Sequence, residues 1–366
     1  MTEWLLLWLV AAVLYLFECC SWVKHGGWCC IRGRRGWRAA SAGRLLGNDR
    51  GGVAFSNPLI HSGAVLHCAE WPLSISPGGV ISLRASQRES APEPRQWTFD
   101  QITSVSASFD DVVINGVRIG AGSATVASEI AAHLDELRSM PEAKRASCIR
   151  AAIKRNLNVK DIKTIWDEFL AQTTRLERTA QATFVLVFVI APLSILVIGP
   201  HPAWMFLLAG LIGLGLISGR QLFVLHRKLF PQAGFDRWVQ ALSVAAFPLA
   251  ATRAVDRLSK DLFYGRHPVA VACAICPVTD SGPALREQWF DLSMAAAEPD
   301  REWYRSALSS EVGRVLDRAG FDAQRHPEAD DPAVEKFCPR CHSQFTSAAG
   351  VCNDCDDVAL IPLARS

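Results

Sequence analysis

The sequence predicts a multi-domain membrane protein with an N-terminal membrane helix, a small cytosolic β-rich (α+β) domain with following helices, a transmembrane helical hairpin and a C-terminal four-cysteine module. Half of the 366 residues are hydrophobic and only 20% are charged, which is a low charge content for a soluble protein of this size. The apolar residues concentrate in long uncharged stretches, and paired cysteines lie near the C-terminus.

Charge and cysteine content narrow the class of protein further. The 38 Lys and Arg residues nearly balance the 36 Asp and Glu residues, so no global positive field favours nucleic acid. The twelve cysteines are paired and clustered, unlike those of a small secreted disulfide scaffold. We therefore expect a reducing compartment.

Residues 1–23 are predicted to form the first membrane helix. From residue 4 to residue 23 the only charge is Glu18, and about 20 apolar residues suffice to cross the hydrocarbon core. The acidic Glu3 precedes the apolar run and no small-residue cleavage motif follows it, which favours an anchor over a cleaved signal peptide. Residues 24–50 are then expected to form a basic juxtamembrane linker.

Residues 181–219 are predicted to form a transmembrane helical hairpin. The stretch 179–219 contains no Asp, Glu, Lys or Arg and has about twice the length of one crossing. Gly199, Pro200 and Pro202 place a turn at its middle. Small residues recur in the second arm, where they either form a helix-packing face or reflect the general frequency of glycine in membrane helices: Ala209, Gly213, Gly215, Gly219.

Basic residues flank these apolar stretches on one side only. The turn at 199–203 has no Lys or Arg, whereas the other flanks are basic, with Lys24, Arg32, Arg34, Arg35, Arg38, Arg44, Arg175, Arg178, Arg220, Arg227 and Lys228. Because basic residues stay on the cytoplasmic side, this predicts a multi-pass protein of the cytoplasmic (inner) membrane with its N-terminus outside and its C-terminus in the cytosol.

Residues 51–140 are predicted to form a β-rich domain that ends in a helix. Turn signals at Asn57-Pro58, 76–79 and Asn115-Gly116 separate short runs rich in Val, Ile, Ser and Thr. A helical spacing follows at Val126, Ile130, Ala131, Leu134 and Leu137. This order is similar to small membrane-associated β-barrel modules of the pleckstrin-homology type. Residues 141–180 are predicted to continue as helices that run into the hairpin.

Residues 220–330 are predicted to be a cytosolic or interfacial helical region. The stretch 238–252 is uncharged but short for a membrane span and contains Pro248, so we expect it to be interfacial or buried. Val255, Leu258 and Leu262 then share one face of an amphipathic surface helix.

The strongest chemical signal lies in residues 331–366. Two C-x2-C pairs are separated by ten residues, and they comprise Cys338, Cys341, Cys352 and Cys355. Four soft thiolates at this spacing are typical of a tetrahedral Zn²⁺ site. A closed set of four thiolates leaves no position for a reactive water, so the predicted metal is structural. Iron in a rubredoxin-like centre is the alternative.

The same segment resembles bacterial zinc-ribbon tails of the form CPxC to CxDC followed by a hydrophobic residue. Here these are CPRC, CNDC and Leu360, and the resemblance covers about the last thirty residues. It implies one structural metal site and no activity. His342 stands where such ribbons often have glycine, and Asp356 and Asp357 also replace a glycine; we expect His342 to face solvent instead of serving as a fifth ligand.

A second C-x2-C pair, Cys273 and Cys276, lies in apolar surroundings. Buried small side chains are the expected role, and a redox dithiol or a second metal site is the alternative.

The predicted function is non-enzymatic. The sequence contains no nucleotide-binding loop, no G-x-S-x-G elbow and no H-E-x-x-H motif. We expect an integral membrane protein that presents its β-rich domain and zinc ribbon to protein partners. The alternative is a membrane enzyme or transport component with a site formed by the hairpin and residues 238–276. Nucleic acid is a poor partner for the ribbon because acidic residues outnumber basic ones there.

Overall fold

The computed structural model describes residues 2–18, 20–24, 28–33, 36–41, 51–55, 65–68, 70–82, 95–231, 234–248, 251–276, 278–295, 302–322, 325–346, 350–355 and 357–363. The chain forms two compact units, each assembled from segments that are distant in sequence. The first contains Met1–Gly36, Ala40–Ala69 and Lys163–Tyr264, and the second contains Trp37–Ala39, Glu70–Ile162 and Gly265–Ser366.

Helices dominate the second half of the chain. In chain order they are α1 (Thr2–Glu18), α2 (Ala124–Ser139), α3 (Glu142–Asn156), α4 (Val159–Val185), α5 (Ala191–Ile198), α6 (Pro200–Leu229), α7 (Phe235–Ala246), α8 (Ala251–Phe263), α9 (Pro268–Ile275), α10 (Val278–Ala295) and α11 (Glu302–Arg318).

Short strands occupy the N-terminal third and the C-terminal tail. They are β1 (Cys20–Lys24), β2 (Trp28–Gly33), β3 (Gly36–Ser41), β4 (Gly51–Phe55), β5 (Val65–Cys68), β6 (Leu73–Ile75), β7 (Gly79–Ser82), β8 (Gln96–Thr98), β9 (Val105–Ser108), β10 (Asp111–Ile114), β11 (Val117–Gly120), β12 (Lys336–Phe337), β13 (Gln344–Phe345), β14 (Val351–Cys352), β15 (Val358–Ala359) and β16 (Ile361–Pro362).

The N-terminal part of the first unit differs from the predicted segment boundaries. Helix α1 ends at Glu18, and residues up to Lys24 form β1 instead of extending the helix to residue 23. Strand β1 pairs antiparallel with β4, and β2 pairs antiparallel with β5. Strands β2 and β3 thus occupy part of residues 24–50, for which the sequence predicts a linker. The strand partners are remote in the chain, so local composition does not reveal the pairing.

The helical hairpin follows the predicted plan. Two helical stretches, Val159–Ile198 and His201–Leu229, are long and apolar enough to cross a membrane. A π-helical turn at Leu186–Ile190 interrupts the first of them. The break falls at Gly199, whose φ of 85° favours glycine, and Pro200 begins α6 because proline fits the first helical turn.

The small residues of the second arm do form a packing face, but only in part. Helix α6 packs along α7, and a Cβ on Gly215 or Gly219 would collide with the backbone oxygen of Ala245 or Ala241. A Cβ on Gly213 would meet open space. Close backbone approach to α7 therefore explains two of the predicted positions.

Helices α7 and α8 are both amphipathic within the first unit. On α7, Ala241 and Val244 are buried while Trp238 and Leu242 are exposed. On α8, Val255 and Leu258 are fully buried, as the helical spacing predicts, and the helix packs on β5. The described residues 238–248 of the uncharged stretch are thus partly buried and partly exposed, and α7, with 12 residues, is too short to span a bilayer alone.

Residues 73–120 of the second unit contribute two small antiparallel sheets. Their strand orders are β6-β7-β8 and β11-β10-β9. The predicted turns are present at 76–79, where Ser76 and Gly79 exchange backbone hydrogen bonds, and at Asn115-Gly116, where both φ angles are positive. The predicted turn at Asn57-Pro58 lies outside the described residues. Helix α2 covers the second sheet and buries the apolar positions that the sequence assigns to its inner face.

Candidate metal centre

The C-terminal tail forms a small module around its four cysteines. Strand β12 lies between β13 and β16, which brings Phe337 opposite Gln344 on one side and Ile361 on the other. Val334, Phe337 and Leu363 form its apolar core. Strands β14 and β15 pair separately and carry the second cysteine pair. Five two-residue strands cannot stabilise a domain alone, so the module depends on an additional link between its two halves.

Each C-x2-C pair sits on a tight turn that follows a strand. After β12 the chain folds back at once, because His342 N–H donates to Cys338 O at 2.8 Å and Cys338 N–H donates to Ser343 O at 2.9 Å. After β14, Asn353–Cys355 forms a 3-10 turn. Both turns point two sulfurs toward the space between the pairs, as the cysteine spacing predicts.

The four sulfurs converge at metal-binding distance. Their Sγ atoms all lie within 4.8 Å of one another, and Cys341 Sγ lies 3.8 Å from Cys352 Sγ. A tetrahedral ion with ligand bonds near 2.3 Å separates its sulfurs by about 3.8 Å. Cys338, Cys352 and Cys355 are buried and Cys341 is half-buried. The cluster could therefore hold a metal ion such as zinc, with four protein ligands and no open position.

Electrostatics within the cluster also favour a bound cation. Burial, and then contact with neighbouring thiols, raises the pKa of both Cys352 and Cys355. Burial also disfavours ionisation of Cys341, but hydrogen bonds, above all with Ser343, outweigh it and lower its pKa to about 7. Ionisation of Cys341 is thus favoured while ionisation of Cys352 and Cys355 is suppressed, first by burial and then by the neighbouring sulfurs. A divalent cation would offset that suppression and release the remaining protons.

His342 is not the solvent-facing residue that the sequence suggests. Its ring is half-buried and packs edge-on against Phe337, with ring centroids 5.4 Å apart. Burial, and then electrostatic repulsion from Arg286 and the His326 side chain, lowers the pKa of His342 to about 4, so its ring is neutral at pH 7. Its φ of 63° and the φ of 60° at Asp357 place both residues in the left-handed region. These are positions where the similar ribbons have glycine.

The metal module packs on α10 through one residue of its first turn. Arg340 Nη2 donates to Asp291 Oδ2 at 3.2 Å, and its Nε lies 3.1 Å from Asp291 Oδ1. The same guanidinium lies 3.5 Å from Glu287 Oε1. The sequence gives no signal for this contact, because α10 and the ribbon are far apart along the chain.

The Cys273–Cys276 pair has a different environment. Cys276 caps α9, donating its N–H to Ala272 O at 2.8 Å, and is buried. Burial, and then the neighbouring Cys276, raises the pKa of Cys273 to about 12. Within the described ranges, no third ligand joins the two sulfurs. These surroundings favour a packing role over a redox dithiol.

A second group of metal-ligating atoms was not evident from the sequence. His133 and Glu136 are three residues apart on α2, and Cys148 of α3 joins them with one ligand atom each within 4.8 Å. His133 is buried and burial lowers its pKa, which keeps a nitrogen available as a ligand. The i, i+3 spacing on one helix was the only local signal. Glu136 is exposed, and three ligands make this set less complete than the four cysteines.

A buried polar cluster surrounds Glu70 in the second unit. Gln288 Nε2 donates to Glu70 Oε1 at 3.1 Å, and Arg305 Nη1 donates to Oε2 at 3.3 Å. His267 Nε2 lies 3.2 Å from Oε1 at an angle that a hydrogen bond does not favour. The adjoining cavity has a volume of about 20 Å³, which is room for about one water molecule. The cluster is therefore suited to joining helices and has no space for an organic substrate.

Comparison with protein-family models, with curated proteins and with solved structures finds no significant match.

Proposed function

We propose that this chain is a non-enzymatic membrane protein whose C-terminal tail is a structural zinc ribbon that binds protein partners. The observation that carries the proposal is the convergence of four cysteine sulfurs with a 3.8 Å spacing between Cys341 and Cys352. Such a set is complete without water, so the ion would order the tail and would not act on a substrate.

Zinc is the ion that we propose. Four thiolates in a small tetrahedral site suit Zn²⁺, and zinc modules of this kind fold only with metal bound. The five short strands of the tail fit a fold of that kind, because, within its described part, the apolar core beside the cysteine cluster consists of three buried side chains, Val334, Phe337 and Leu363. Iron also accepts four thiolates, and its coloured centre would distinguish it at once from colourless zinc.

The proposal places the helical hairpin and α1 in the cytoplasmic membrane. Large apolar side chains cover the outer surface of these helices, with Phe17, Val197, Met205, Phe206 and Leu216 all exposed. Trp8 Nε1 donates to Val187 O at 2.8 Å, in the π-helical turn where a carbonyl is released from the regular pattern. This contact gives α1 a defined partner in the hairpin.

Helix α7 adds a second kind of membrane contact. Its packing against Gly215 and Gly219 continues from residues that the proposal places inside the membrane. Phe235, Trp238, Leu242 and Phe247 are exposed beside it. We place this face in the cytosolic leaflet, with the N-terminus of the chain outside and the metal module in the cytosol.

The test of partner binding is a comparison of co-purifying proteins. The full chain, its Cys338→Ser/Cys341→Ser variant and a matched Cys273→Ser/Cys276→Ser variant are isolated from native membranes at equal expression. Quantitative mass spectrometry should find partners that disappear only from the first variant. Identical protein sets for all three chains would contradict a docking role and favour an enzyme or transport role for the membrane part.

Membrane topology is tested independently. Single cysteines placed at 201 and 357 in an otherwise functional chain are labelled in intact cells with an impermeant maleimide. Position 201 should react from outside and position 357 only after the membrane is opened. Extraction of the chain by alkaline carbonate would contradict membrane insertion altogether.

A further inference from the structure

A basic cleft lies between α4 and α6 in the first unit. It has a volume of about 570 Å³. Arg175 contributes from α4, and Arg220 and Lys228 contribute from α6. Among the described residues that line the cleft there is no carboxylate, and the remaining side chains are apolar or carry amides.

Within the part of the chain that the structure describes, the three cations of the basic cleft have no acidic partner. Throughout the described ranges, no ion pair joins Arg175, Arg220 or Lys228 to an acidic side chain. All three are exposed. Like charges facing one cleft repel one another, so the site gains stability when an anion enters.

An amide also contributes to this cleft. Gln221 lines it, and its Oε1 accepts a 2.8 Å hydrogen bond from Thr179 Oγ1. The same hydroxyl also donates to Arg175 O at 2.9 Å, and because it carries one proton, its contact with Gln221 positions the amide group beside the cleft without fixing which amide atom faces it. The three cations form a donor set that suits a phosphate group.

The position of the basic cleft indicates the source of the phosphate. Arg178 and Arg220 enclose the stretch 179–219, which lacks any charged residue. The basic cleft thus lies where the apolar hairpin ends, at the depth of lipid headgroups on the cytosolic side.

An apolar track continues from the basic cleft along α6. At helical spacing, Phe206, Gly213, Ile217 and Val224 share one face of this helix with Lys228. Phe206 and Ile217 are exposed, and the space beside Gly213 is open. An acyl chain could lie along this face while its headgroup contacts the cations.

From these observations we propose that the basic cleft binds the headgroup phosphate of an anionic phospholipid, with one acyl chain on the Phe206–Ile217 face of α6. Basic pockets between membrane helices on the cytoplasmic side recognise such lipids. This inference rests on the membrane part of the proposed function. It is independent of the zinc ribbon and its partners.

The test is native mass spectrometry of the detergent-solubilised full chain, titrated separately with phosphatidylglycerol and with phosphatidylcholine. The wild type should retain one phosphatidylglycerol molecule and bind it at least about tenfold more tightly than phosphatidylcholine. Each nearby cation contributes roughly a fivefold gain in affinity for the anionic lipid. Arg175→Gln/Arg220→Gln should reduce the preference by about 25-fold, which leaves at most the contribution of Lys228. Arg178→Gln/Arg227→Gln, which removes two exposed cations of the same helices outside the cleft, should keep it.

Three results would overturn the inference. Equal binding of both lipids would contradict recognition of an anionic headgroup. Equal losses in the two double variants would show that general positive charge attracts the lipid. Displacement of phosphatidylglycerol by millimolar inorganic phosphate would show that a free anion suffices. Carbonate extraction of each variant is measured in parallel. A chain that carbonate removes from the membrane contradicts the proposal that the protein spans the membrane. A chain that stays in the membrane but shows no lipid preference contradicts only lipid binding by the basic cleft.

Discussion

Arg340 lies between two of the metal-ligating cysteines and donates from Nη2 to Asp291 Oδ2 at 3.2 Å. Arg340 thus links the folding of the four-cysteine module to the position of α10. Because the turn from Cys338 to Cys341 holds Arg340 in place, loss of the metal and loss of this contact should be linked.

Arg340→Gln should loosen the metal module without removing a ligand. The guanidinium also faces Glu287, and the side chains of Arg340 and Glu287 are only 20% and 10% exposed. Removing the positive charge takes a cation away from the partly buried carboxylate of Glu287 and from Asp291, at a cost of about 2 kcal/mol in local opening free energy. Hydrogen exchange of residues 334–346 measures that change.

Arg314→Gln is the matched control for that variant. Arg314 lies 3.0 Å from Glu311, but its side chain is 52% exposed. Arg314→Gln should therefore lower the local opening free energy by less than about 0.5 kcal/mol. A double-mutant cycle of Arg340→Gln and Asp291→Asn measures the coupling energy between these two side chains. A coupling energy near zero would contradict the Arg340–Asp291 contact.

Metal removal should unfold the C-terminal tail alone. Chelation should abolish hydrogen-exchange protection in residues 334–363, because the core of Val334, Phe337 and Leu363 is too small to hold five short strands. Cys352→Ser should act in the same way, and re-addition of Zn²⁺ should restore only the wild type. Unchanged protection after complete chelation would show that the tail folds without metal.

Cys273 should be inert to alkylation at neutral pH. Its pKa is raised to about 12, mainly by burial, and only the thiolate reacts. At pH 8 the thiolate fraction is about a thousandfold below that of an ordinary cysteine, and it should rise tenfold per pH unit up to pH 12. Iodoacetamide labelling followed by peptide mass spectrometry measures the rate. Rapid labelling at pH 7, or facile formation of a Cys273–Cys276 disulfide, would restore the redox alternative.

Glu70→Gln should destabilise the second unit. Arg305 is 13% exposed and would lose its carboxylate partner while Gln288 keeps an oxygen acceptor. We expect a loss of about 2–3 kcal/mol, measured by thermal unfolding or by hydrogen exchange in α10 and α11. Glu328→Gln, whose partner Arg325 is 70% exposed, serves as the control and should change nothing measurable. Equal effects of the two substitutions would contradict the structural role of Glu70.

Local patterns predicted several elements well. Helix α2 buries Val126, Ile130 and Leu134, as its spacing requires, and the hairpin turns at Gly199. The cysteine spacing predicted a convergence that the structure reproduces. Periodicity, turn residues and ligand spacing each act over a few residues, which is why sequence alone revealed them.

Pairings between distant segments were not predictable in this way. The sequence predicts the end of a helix at β1 and a linker at β2. It does not reveal these strands because their partners β4 and β5 lie far along the chain. The predicted β-rich domain is divided: residues 70–140 belong to the second unit, whereas residues 51–68 belong to the first unit, where β4 and β5 pair with β1 and β2.

The sequence by itself determined the two apolar helical stretches, the sheet of β9–β11 with its covering helix and the four cysteines that could hold a metal ion, because hydropathy and cysteine spacing are local properties of the chain. Only the tertiary structure placed Arg340 on Asp291, gathered Gln288 and Arg305 around Glu70, and brought Arg175 beside Arg220 to form the basic cleft. Those contacts join residues from elements that are distant along the chain, and their geometry depends on how these elements pack.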